Sequence, residues 1–446
     1  MRRGGDKIII VTQSIHRRNI RFKNEIAVAD KSKILGVAID SSNNFHRVII
    51  FNFLGKKIGR PFSVDIRKKG FEALVKKIEK AKHRIRADKV CIAIESAGSY
   101  SENLFNHLLD NYDNVFLVSA VNVAHNRKQK SLLGLKTDDI DCCSIGDLLI
   151  RGEFYPQREQ SVVYYQLKSL VSWYLKKQDV LRALNNQVWS RLKYIYPGLY
   201  SQGEDEESGL KSGIHSMLYK GIINHPMTGQ EFIQYSNEGL SRLFGYKNIR
   251  HALIERFKRA LKELLLPAEP LARAHISILQ RDVNLINRIE HELEGAENQI
   301  IKLGKQTPAK NLMGQVRGLT DLDAAVYIGL VGDVSRFKSA KQIFSFSGLA
   351  PRISQSGGGS KVPRISRVGS PLLRRVLFRL AKQVALHERI FSEYSAVLRK
   401  RSGKHWKSRY IAVARKLNNV FFALMRDNTS FRNSQPLAVR PSGKAL

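Results

Sequence analysis

Four short apolar segments in the first third of the chain constrain its fold more than any other feature. They occupy residues 33–40, 46–53, 89–95 and 114–121. Each is mostly apolar and rich in β-branched residues, which is the pattern of a buried strand. A polar turn sequence separates the first two, and helical spacing alternates with the later ones. A hairpin followed by strand–helix alternation predicts a mixed sheet flanked by helices, with residues 54–64 as a further edge strand.

The spacing of apolar residues becomes helical from about residue 155, where two stripes have the a/d spacing of a coiled coil. The first comprises Leu167, Leu170, Tyr174, Leu181, Leu184, Val188 and Ile195, and the second Leu279, Ile286, Ile289, Leu293, Ala296, Ile300 and Leu303. They predict two long helices that form an antiparallel coiled coil or a dimerising arm. A small helical unit is expected between them in sequence, at about 214–270.

These patterns divide the chain into four regions. They are a basic arm at 1–30, an α/β domain at 31–152, a coiled-coil region with an inserted helical segment at 153–310, and a C-terminal region at 311–446. The C-terminal region is expected to be mainly α-helical, because two basic amphipathic helices follow its glycine-rich loop.

A large positive charge is spread along the whole chain. Lysine and arginine number 75 against 39 aspartates and glutamates, which gives a formal net charge of +36. Such a surface attracts a polyanion, and lysine and arginine contacts to phosphates predict salt-sensitive nucleic-acid binding. Membrane binding is not expected, because the charge is not concentrated on one amphipathic helix. The three cysteines have no metal-ligand spacing and fit a reducing compartment.

Neither a transmembrane helix nor a secretion signal is expected from the sequence. No run of 18 apolar residues occurs, and the apolar run at Ile8–Val11 is too short for a signal peptide. A location in the cytoplasm or nucleoid is therefore predicted.

Four acidic residues are placed where a metal site could form. Asp40 and Glu95 end two of the apolar strands, and Asp138 and Asp141 share one face of a predicted helix. Together they would offer the oxygen ligands that Mg²⁺ prefers, and two metal ions held in this way can drive phosphodiester chemistry. Taken singly, each acid could equally be a helix cap or an ordinary strand end. Asp139 is excluded from the set, since it points about 100° away from Asp138 on a helix.

A loop rich in serine and glycine, RISQSGGGSKVPRIS, occupies residues 352–366. Its glycines and neighbouring cations could cradle a phosphate, and a serine there could attack phosphorus if it were activated. Composition alone favours a linker, and it does not choose among Ser354, Ser356 and Ser360. Candidate nucleic-acid contacts in and after the loop are Arg352, Lys361, Arg364, Arg367, Arg374 and Arg375.

Two blocks of the sequence resemble a known family. GVAIDSSNN with Asp40, CIAIESAGSY with Glu95 and LKTDDID with Asp138 and Asp141 resemble the Asp-Glu-Asp-Asp (DEDD) signature of the RuvC-like insertion-sequence transposases. Those transposases are relatives of the Piv-type DNA invertases. The segments SGLAPRISQSGG and GSPLLRRVLFRLA resemble the second block of the same family. The resemblance covers roughly residues 33–150 and 311–425.

The resemblance implies a fold, a reaction and partners. Residues 31–152 would form an RNase H-like (RuvC-like) domain whose four acids bind Mg²⁺. The PRISQSG segment assigns the nucleophile to Ser356, which would become covalently linked to DNA in one composite site with the acids. Some members bind a structured guide RNA that pairs with donor and target DNA, which implies the same partners here. Strand exchange needs at least two serines, so a homodimer or homotetramer is expected on the DNA.

Two other functions stay open on the sequence. The chain could be a metal-dependent nuclease of the resolvase type, with water as the nucleophile and Ser356 uninvolved. It could also be a non-catalytic nucleic-acid-binding protein whose acids are structural. A serine–DNA adduct would distinguish the recombinase from both alternatives.

Overall fold

The computed structural model describes residues 24–431, apart from residue 27 and the segments 97–98, 131–134, 155–160, 200–216, 245–250, 353–354, 357–358, 361–363 and 403–405. Most of the expected basic arm and the candidate contact Lys361 lie outside the described residues. The chain forms two compact units, Met1–Gln160 and Ser161–Leu446. The finer domain limits stay predictions.

The first unit is built on a five-stranded mixed sheet. Its strands are β1 (Ile34–Ser41), β2 (Phe45–Asn52), β3 (Phe62–Asp65), β4 (Lys89–Glu95) and β5 (Val115–Val118). Their spatial order is β3-β2-β1-β4-β5. The pairs β1–β2 and β2–β3 are antiparallel, whereas β1–β4 and β4–β5 are parallel. The hairpin and the mixed sheet predicted from the sequence are therefore confirmed, whereas the edge strand is shorter than the predicted 54–64 and comprises Phe62–Asp65.

Helices cover both faces of this sheet. They are α1 (Lys68–Ile85), α2 (Ser99–Leu109), α3 (Ala120–Lys130) and α4 (Asp138–Ile150). Side chains of β1 alternate between the two faces: Val37 and Ile39 share a core with α1 and α2, and Ala38 shares the other core with α4. Burial on both faces explains why β1 and β4 are apolar almost throughout.

Two glycines let α4 approach the sheet closely. The Phe51 ring of β2 lies against Gly36 of β1, where an added Cβ would come within 2.4 Å of the ring. On the other side the ring meets Gly146 of α4, where a Cβ would be 3.0 Å away. A Cβ at Gly36 would therefore overlap the ring, and a Cβ at Gly146 would require the ring to shift by a few tenths of an ångström. The close approach matters because α4 carries two of the candidate metal ligands in its first turn.

Substitution Gly36→Ala should destabilise the first unit by about 1–3 kcal/mol, because the new methyl group must displace the Phe51 ring. Differential scanning calorimetry of the full chain would show a lower midpoint for one transition. Gly295→Ala is the control, since a Cβ there meets nothing within 4 Å and alanine favours a helix interior over glycine. Equal effects of the two substitutions would contradict the close packing of Phe51.

The second unit is mainly helical. Its helices are α5 (Val162–Ile195), α6 (Met217–Asn224), α7 (Gly229–Gln234), α8 (Asn237–Leu243), α9 (His251–Glu263), α10 (Glu269–Lys305), α11 (Asp321–Val331), α12 (Ala340–Phe346), α13 (Pro371–His387), α14 (Arg389–Ser402) and α15 (Trp406–Asp427). Four two-residue strands lie between α12 and α13: β6 (Pro351–Arg352), β7 (Gln355–Ser356), β8 (Gly359–Ser360) and β9 (Arg364–Ile365). No helix in the described part of the chain is long and apolar enough to cross a membrane.

The two longest helices, α5 and α10, pack antiparallel. Tyr174 near the start of α5 donates its hydroxyl hydrogen to Glu297 near the end of α10, with an O–O distance of 2.6 Å. Arg191 near the end of α5 pairs with Asp282 at 2.8 Å. All members of the two predicted stripes are buried or packed against the core. The long antiparallel helices are therefore confirmed, whereas a coiled-coil supercoil and a dimerising role stay predictions.

Candidate active site

Parallel pairing of β1 and β4 brings the first two acids together. Ile39 is in register with Ile94, so Asp40 and Glu95 follow at the same edge of the sheet. The Ser41 hydroxyl donates to the Glu95 carbonyl oxygen at 3.0 Å and ties the two strand ends together. Two carboxylates are thus held side by side by backbone that has little freedom to separate them.

The Asp40 and Glu95 carboxyls perturb each other's pKa in a partly buried setting. Burial raises the pKa of Glu95 to about 7, and the Asp40 charge and the hydrogen bond between the two carboxyls add to the rise. Burial also raises the pKa of Asp40, while its hydrogen bond with Glu95 acts in the opposite direction. Of the two carboxyls, Glu95 therefore has the pKa that is raised through their hydrogen bond.

The first turn of α4 supplies the other two acids. Thr137 caps the helix by accepting a hydrogen bond from the Ile140 N–H at 3.3 Å. Asp141 is buried, and its charge is near enough to raise the pKa of both Asp40 and Glu95. Asp138 is exposed, and its charge raises the pKa of Asp40. The structure thus brings all four predicted acids to one region of the first unit.

Two arginines that the sequence patterns do not single out contact the acids of α4. Arg127 of α3 forms an ion pair with the buried carboxylate of Asp141. Arg47 of β2 pairs with Asp139 at 2.6 Å, which lowers the pKa of that carboxyl through the hydrogen bond. Asp139 is therefore paired with a residue of β2. No spacing rule links Arg127 to Asp141, because the contact depends on how α3 and α4 pack.

The four carboxylates are oxygen donors of the kind that a hard divalent cation binds. Carboxylate oxygens are the ligands that Mg²⁺ prefers, and clustered like charges are stabilised when a cation joins them. Within the described residues, no three acidic, histidine or cysteine side chains are arranged closely enough to hold a metal as they stand. Asp141 is instead paired with Arg127, and Asp138 is exposed.

The glycine-rich segment forms a two-tiered hairpin in the second unit. At its base β6 pairs with β9, with Pro351 opposite Ile365. At its tip β7 pairs with β8, with Ser356 opposite Gly359. The segment thus forms paired strands, whereas its composition alone favours a linker. The side chains of Ser356, Arg352 and Arg364 lie outside the described part of the structure.

Arg374 of α13 fastens the base of this hairpin. Its guanidinium donates to the carbonyl oxygens of Ser347 at 3.4 Å and Arg367 at 3.1 Å, which lie on the two sides of the hairpin. Arg367 adopts a left-handed backbone with φ of 57° and donates its N–H to the Gly348 carbonyl at 3.0 Å. The candidate contact Arg375 is held by Asp179 of α5 at 2.6 Å. A role for these arginines at nucleic acid stays a prediction.

The raised pKa of Glu95 predicts a pH-dependent stability. An acid whose folded pKa lies above its unfolded value makes the protein less stable as pH rises from about 4.5, its ordinary value, through about 7. Asp40→Asn removes a charge beside Glu95, so at pH 8 with chelator the variant should unfold roughly 2–4 °C above the parent protein. The difference should disappear near pH 5. Mg²⁺ should raise the parent's midpoint and leave the variant's unchanged.

Asp113→Asn is the matched control for this experiment. Asp113 is an exposed aspartate in the same unit, so its substitution should leave the midpoint unchanged at both pH values. A variant Asp40→Asn that is less stable than the parent at pH 8 would contradict the repulsive contact of Asp40 and Glu95.

Two sequence families match the chain. A transposase family of the DEDD type named for IS110 matches residues 37–197, and the transposase IS116/IS110/IS902 family matches residues 310–396. The first match contains all four acids, and the second contains the hairpin with Ser356. Together the two matches cover more than half of the 446 residues.

Curated relatives agree with these matches over shorter segments. The pilin gene-inverting protein of Moraxella lacunata is 33% identical over 145 residues, which are 30% of this chain and 44% of that protein. An uncharacterized 43.6 kDa protein of insertion element IS110 from Streptomyces coelicolor is 27% identical over 154 residues, 34% of this chain and 38% of that one. A probable family 20 transposase of Pseudomonas aeruginosa is 28% identical over 108 residues, 22% and 32% of the two chains. The chain spans less than half the length of each of these relatives.

Proposed function

Because the chain belongs to the DEDD transposases of the IS116/IS110/IS902 family, we propose that it cuts and rejoins DNA strands through a covalent serine–DNA intermediate. The contact of Asp40 with Glu95 is the observation that carries this proposal. Two carboxyls lie together where parallel strands end and raise each other's charge cost, and a third buried acid lies near enough to perturb them. Such a cluster costs folding free energy, and perturbed acids of this kind are concentrated at functional sites.

We also assign an RNase H-like (RuvC-like) fold to residues 31–152. The mixed five-stranded sheet supports it, with an antiparallel edge of three strands continued by two parallel ones. In open sheets that contain parallel strands, ligands bind beyond the carboxyl ends of those strands. Asp40 and Glu95 lie at that edge.

Asp40, Glu95, Asp138 and Asp141 would hold Mg²⁺. Bound there, the metal supplies Lewis-acid stabilisation of the charge that develops on the phosphate oxygens. Binding requires Glu95 to release its proton, so affinity for Mg²⁺ should rise as pH passes through about 7. Arg127 neutralises Asp141 when no metal is there, and the two cations compete for the same carboxylate.

Ser356 is the proposed nucleophile. Its oxygen forms a bond to phosphorus, its hydroxyl proton is lost, and the departing sugar oxygen takes up a proton as its bond to phosphorus breaks. Attack by a second sugar hydroxyl then reverses these changes and releases the serine. The bond energy of the phosphodiester is kept in the adduct, so rejoining needs no external energy source. The hairpin supports this role because it presents Ser356 near a tip flanked by glycines.

Donor and target DNA are the proposed substrates, and a structured guide RNA is the proposed means of choosing them. The net charge of +36 supports polyanionic partners. Base pairing with the guide RNA would select the DNA sequence, while the protein would contact the nucleic-acid backbone and recognise its shape. Exchange between two duplexes needs two serines, so we propose a homodimer or homotetramer on DNA, acting in the cytoplasm at the nucleoid.

Incubation with the DNA of its element, the co-transcribed RNA and Mg²⁺ should give a protein–DNA adduct that resists SDS. Ser356→Ala removes the attacking oxygen and should abolish the adduct, and Asp40→Asn should reduce it by at least about 100-fold through loss of a metal ligand. Gel electrophoresis of labelled DNA before and after protease treatment measures both effects.

Ser354→Ala and Ser360→Ala are matched controls in the same loop and should leave the adduct in place. Strand cleavage that survives Ser356→Ala without any adduct would favour a nuclease that uses water. Binding without strand breakage under all these conditions would leave only a nucleic-acid-binding role.

A further inference from the structure

Asp139 belongs to the first turn of α4 but not to the four acids that we propose as metal ligands. Its carboxylate accepts two hydrogen bonds from the guanidinium of Arg47, from Nε to Oδ1 at 2.6 Å and from Nη2 to Oδ2 at 3.4 Å. The remaining nitrogen, Nη1, donates to the Ser63 hydroxyl oxygen at 3.1 Å. All three nitrogens of this guanidinium are therefore directed to partners other than Asp40.

Arg47 is nevertheless the direct neighbour of Asp40 in the sheet. The two residues lie opposite each other in the antiparallel pairing of β1 with β2. Opposite residues have their side chains on the same face, with Cβ atoms about 4.5–5.5 Å apart. That face is the one that α4 covers, since the pair two residues away, Ala38 and Ile49, belongs to the core that α4 shares. An arginine side chain can span this distance by a change of rotamer.

A second arginine beside the cluster shows what a contact of this kind would do. Arg127 forms an ion pair with Asp141, so that carboxylate already has a cation of the protein. Asp40 is in a different situation, because burial raises its pKa and the charges of Asp141 and Asp138 add to the rise. A guanidinium next to such a carboxylate is attracted to it. Asp40 and Asp139 therefore compete for the same arginine.

We propose that Asp139 is a positioning residue of the metal site, which holds Arg47 away from Asp40 and keeps that carboxylate available to Mg²⁺. This inference rests on the proposed metal role of Asp40. A cation of the protein that pairs with a carboxylate has to be displaced before a metal can bind there. With Arg47 on Asp40 as well as Arg127 on Asp141, two of the four acids would be paired with arginines.

A purely structural role, the attachment of α4 to β2, explains this ion pair less well. The Asp139 side chain is 45% exposed, and ion pairs at such positions contribute little to stability. Other contacts already fix the helix. The Phe51 ring packs against Gly146, and the Cys142 thiol donates to the backbone carbonyl oxygen of Arg47 at 3.1 Å. Loss of the Asp139 carboxylate should therefore leave α4 in place and act through the new position of the arginine.

Binding of Mn²⁺ to the full chain, measured at pH 8 from the EPR signal of the unbound ion, tests the proposal in a double-mutant cycle. Asp139→Ala should weaken binding about tenfold, the effect of one charge-assisted hydrogen bond that the metal has to replace. In an Arg47→Gln background the same substitution should change affinity less than about twofold, because no arginine is left to move. Mere loss of a negative charge would act equally in both backgrounds.

Glu153→Ala is the matched control for Asp139→Ala. Glu153 pairs with Arg151 at 3.1 Å, and both side chains are about half exposed, so its substitution also removes an acid from an arginine. Arg151 follows the last residue of α4 and lies at the far end of this helix from Asp138 and Asp141. Affinity for Mn²⁺ should therefore equal that of the parent protein.

A metal-free crystal structure of Asp139→Ala gives a second measurement that does not depend on metal binding. It should show the Arg47 guanidinium within hydrogen-bond distance of the Asp40 carboxylate. Arg47 still directed away from Asp40, Mn²⁺ affinity unchanged in Asp139→Ala, or an equal loss in both backgrounds would overturn the inference. A parent protein that binds no Mn²⁺ would contradict the proposed metal role itself, whereas a parent that binds Mn²⁺ with equal losses would contradict only the role of Asp139.

Discussion

Contact between Asp40 and Glu95 is the constraint on which the rest of the site depends. Two neighbouring parallel strands in fixed register carry these acids at their carboxyl ends, so the fold brings the two carboxyls together. Burial then makes two negative charges there unfavourable, and the pair retains a proton that a solvated glutamate would lose. A cation would resolve this conflict, and this is the physical reason for the metal role that we propose for the cluster.

The packing of α4 extends this pair into a larger cluster. Phe51 fits between two glycines, and this lets the helix lie close enough for buried Asp141 to influence both strand-end acids. Arg127 compensates that third charge within the protein itself. The chain thus pairs Asp141 with a cation of its own, and under the proposed function Mg²⁺ would have to compete with Arg127 for this carboxylate.

Much of the first unit could be predicted from the sequence, because its signals are local. Runs of β-branched residues predict β1 and β4, and an acid at the end of each run is visible without any structure. The partner of Asp141 could not be predicted in this way, since Arg127 lies on another helix and no periodicity links the two. Paired strands around Ser356 were likewise hidden, because serine and glycine give the same composition in a hairpin and in a linker. The engagement of Arg375 with Asp179 depends on packing between distant helices, which the charge pattern of α13 does not encode.

Two units of this chain carry different parts of the proposed reaction, the acids in the first and the serine hairpin in the second. The central claim is that the four acids form a metal site, and crystals soaked in Mn²⁺ as a substitute for Mg²⁺ test it most directly. The account predicts an anomalous-difference peak at the carboxylates of Asp40 and Glu95, and no peak in Asp40→Asn crystals. Fully soaked crystals with no peak at these carboxylates, or a peak that persists unchanged in the variant, would contradict it.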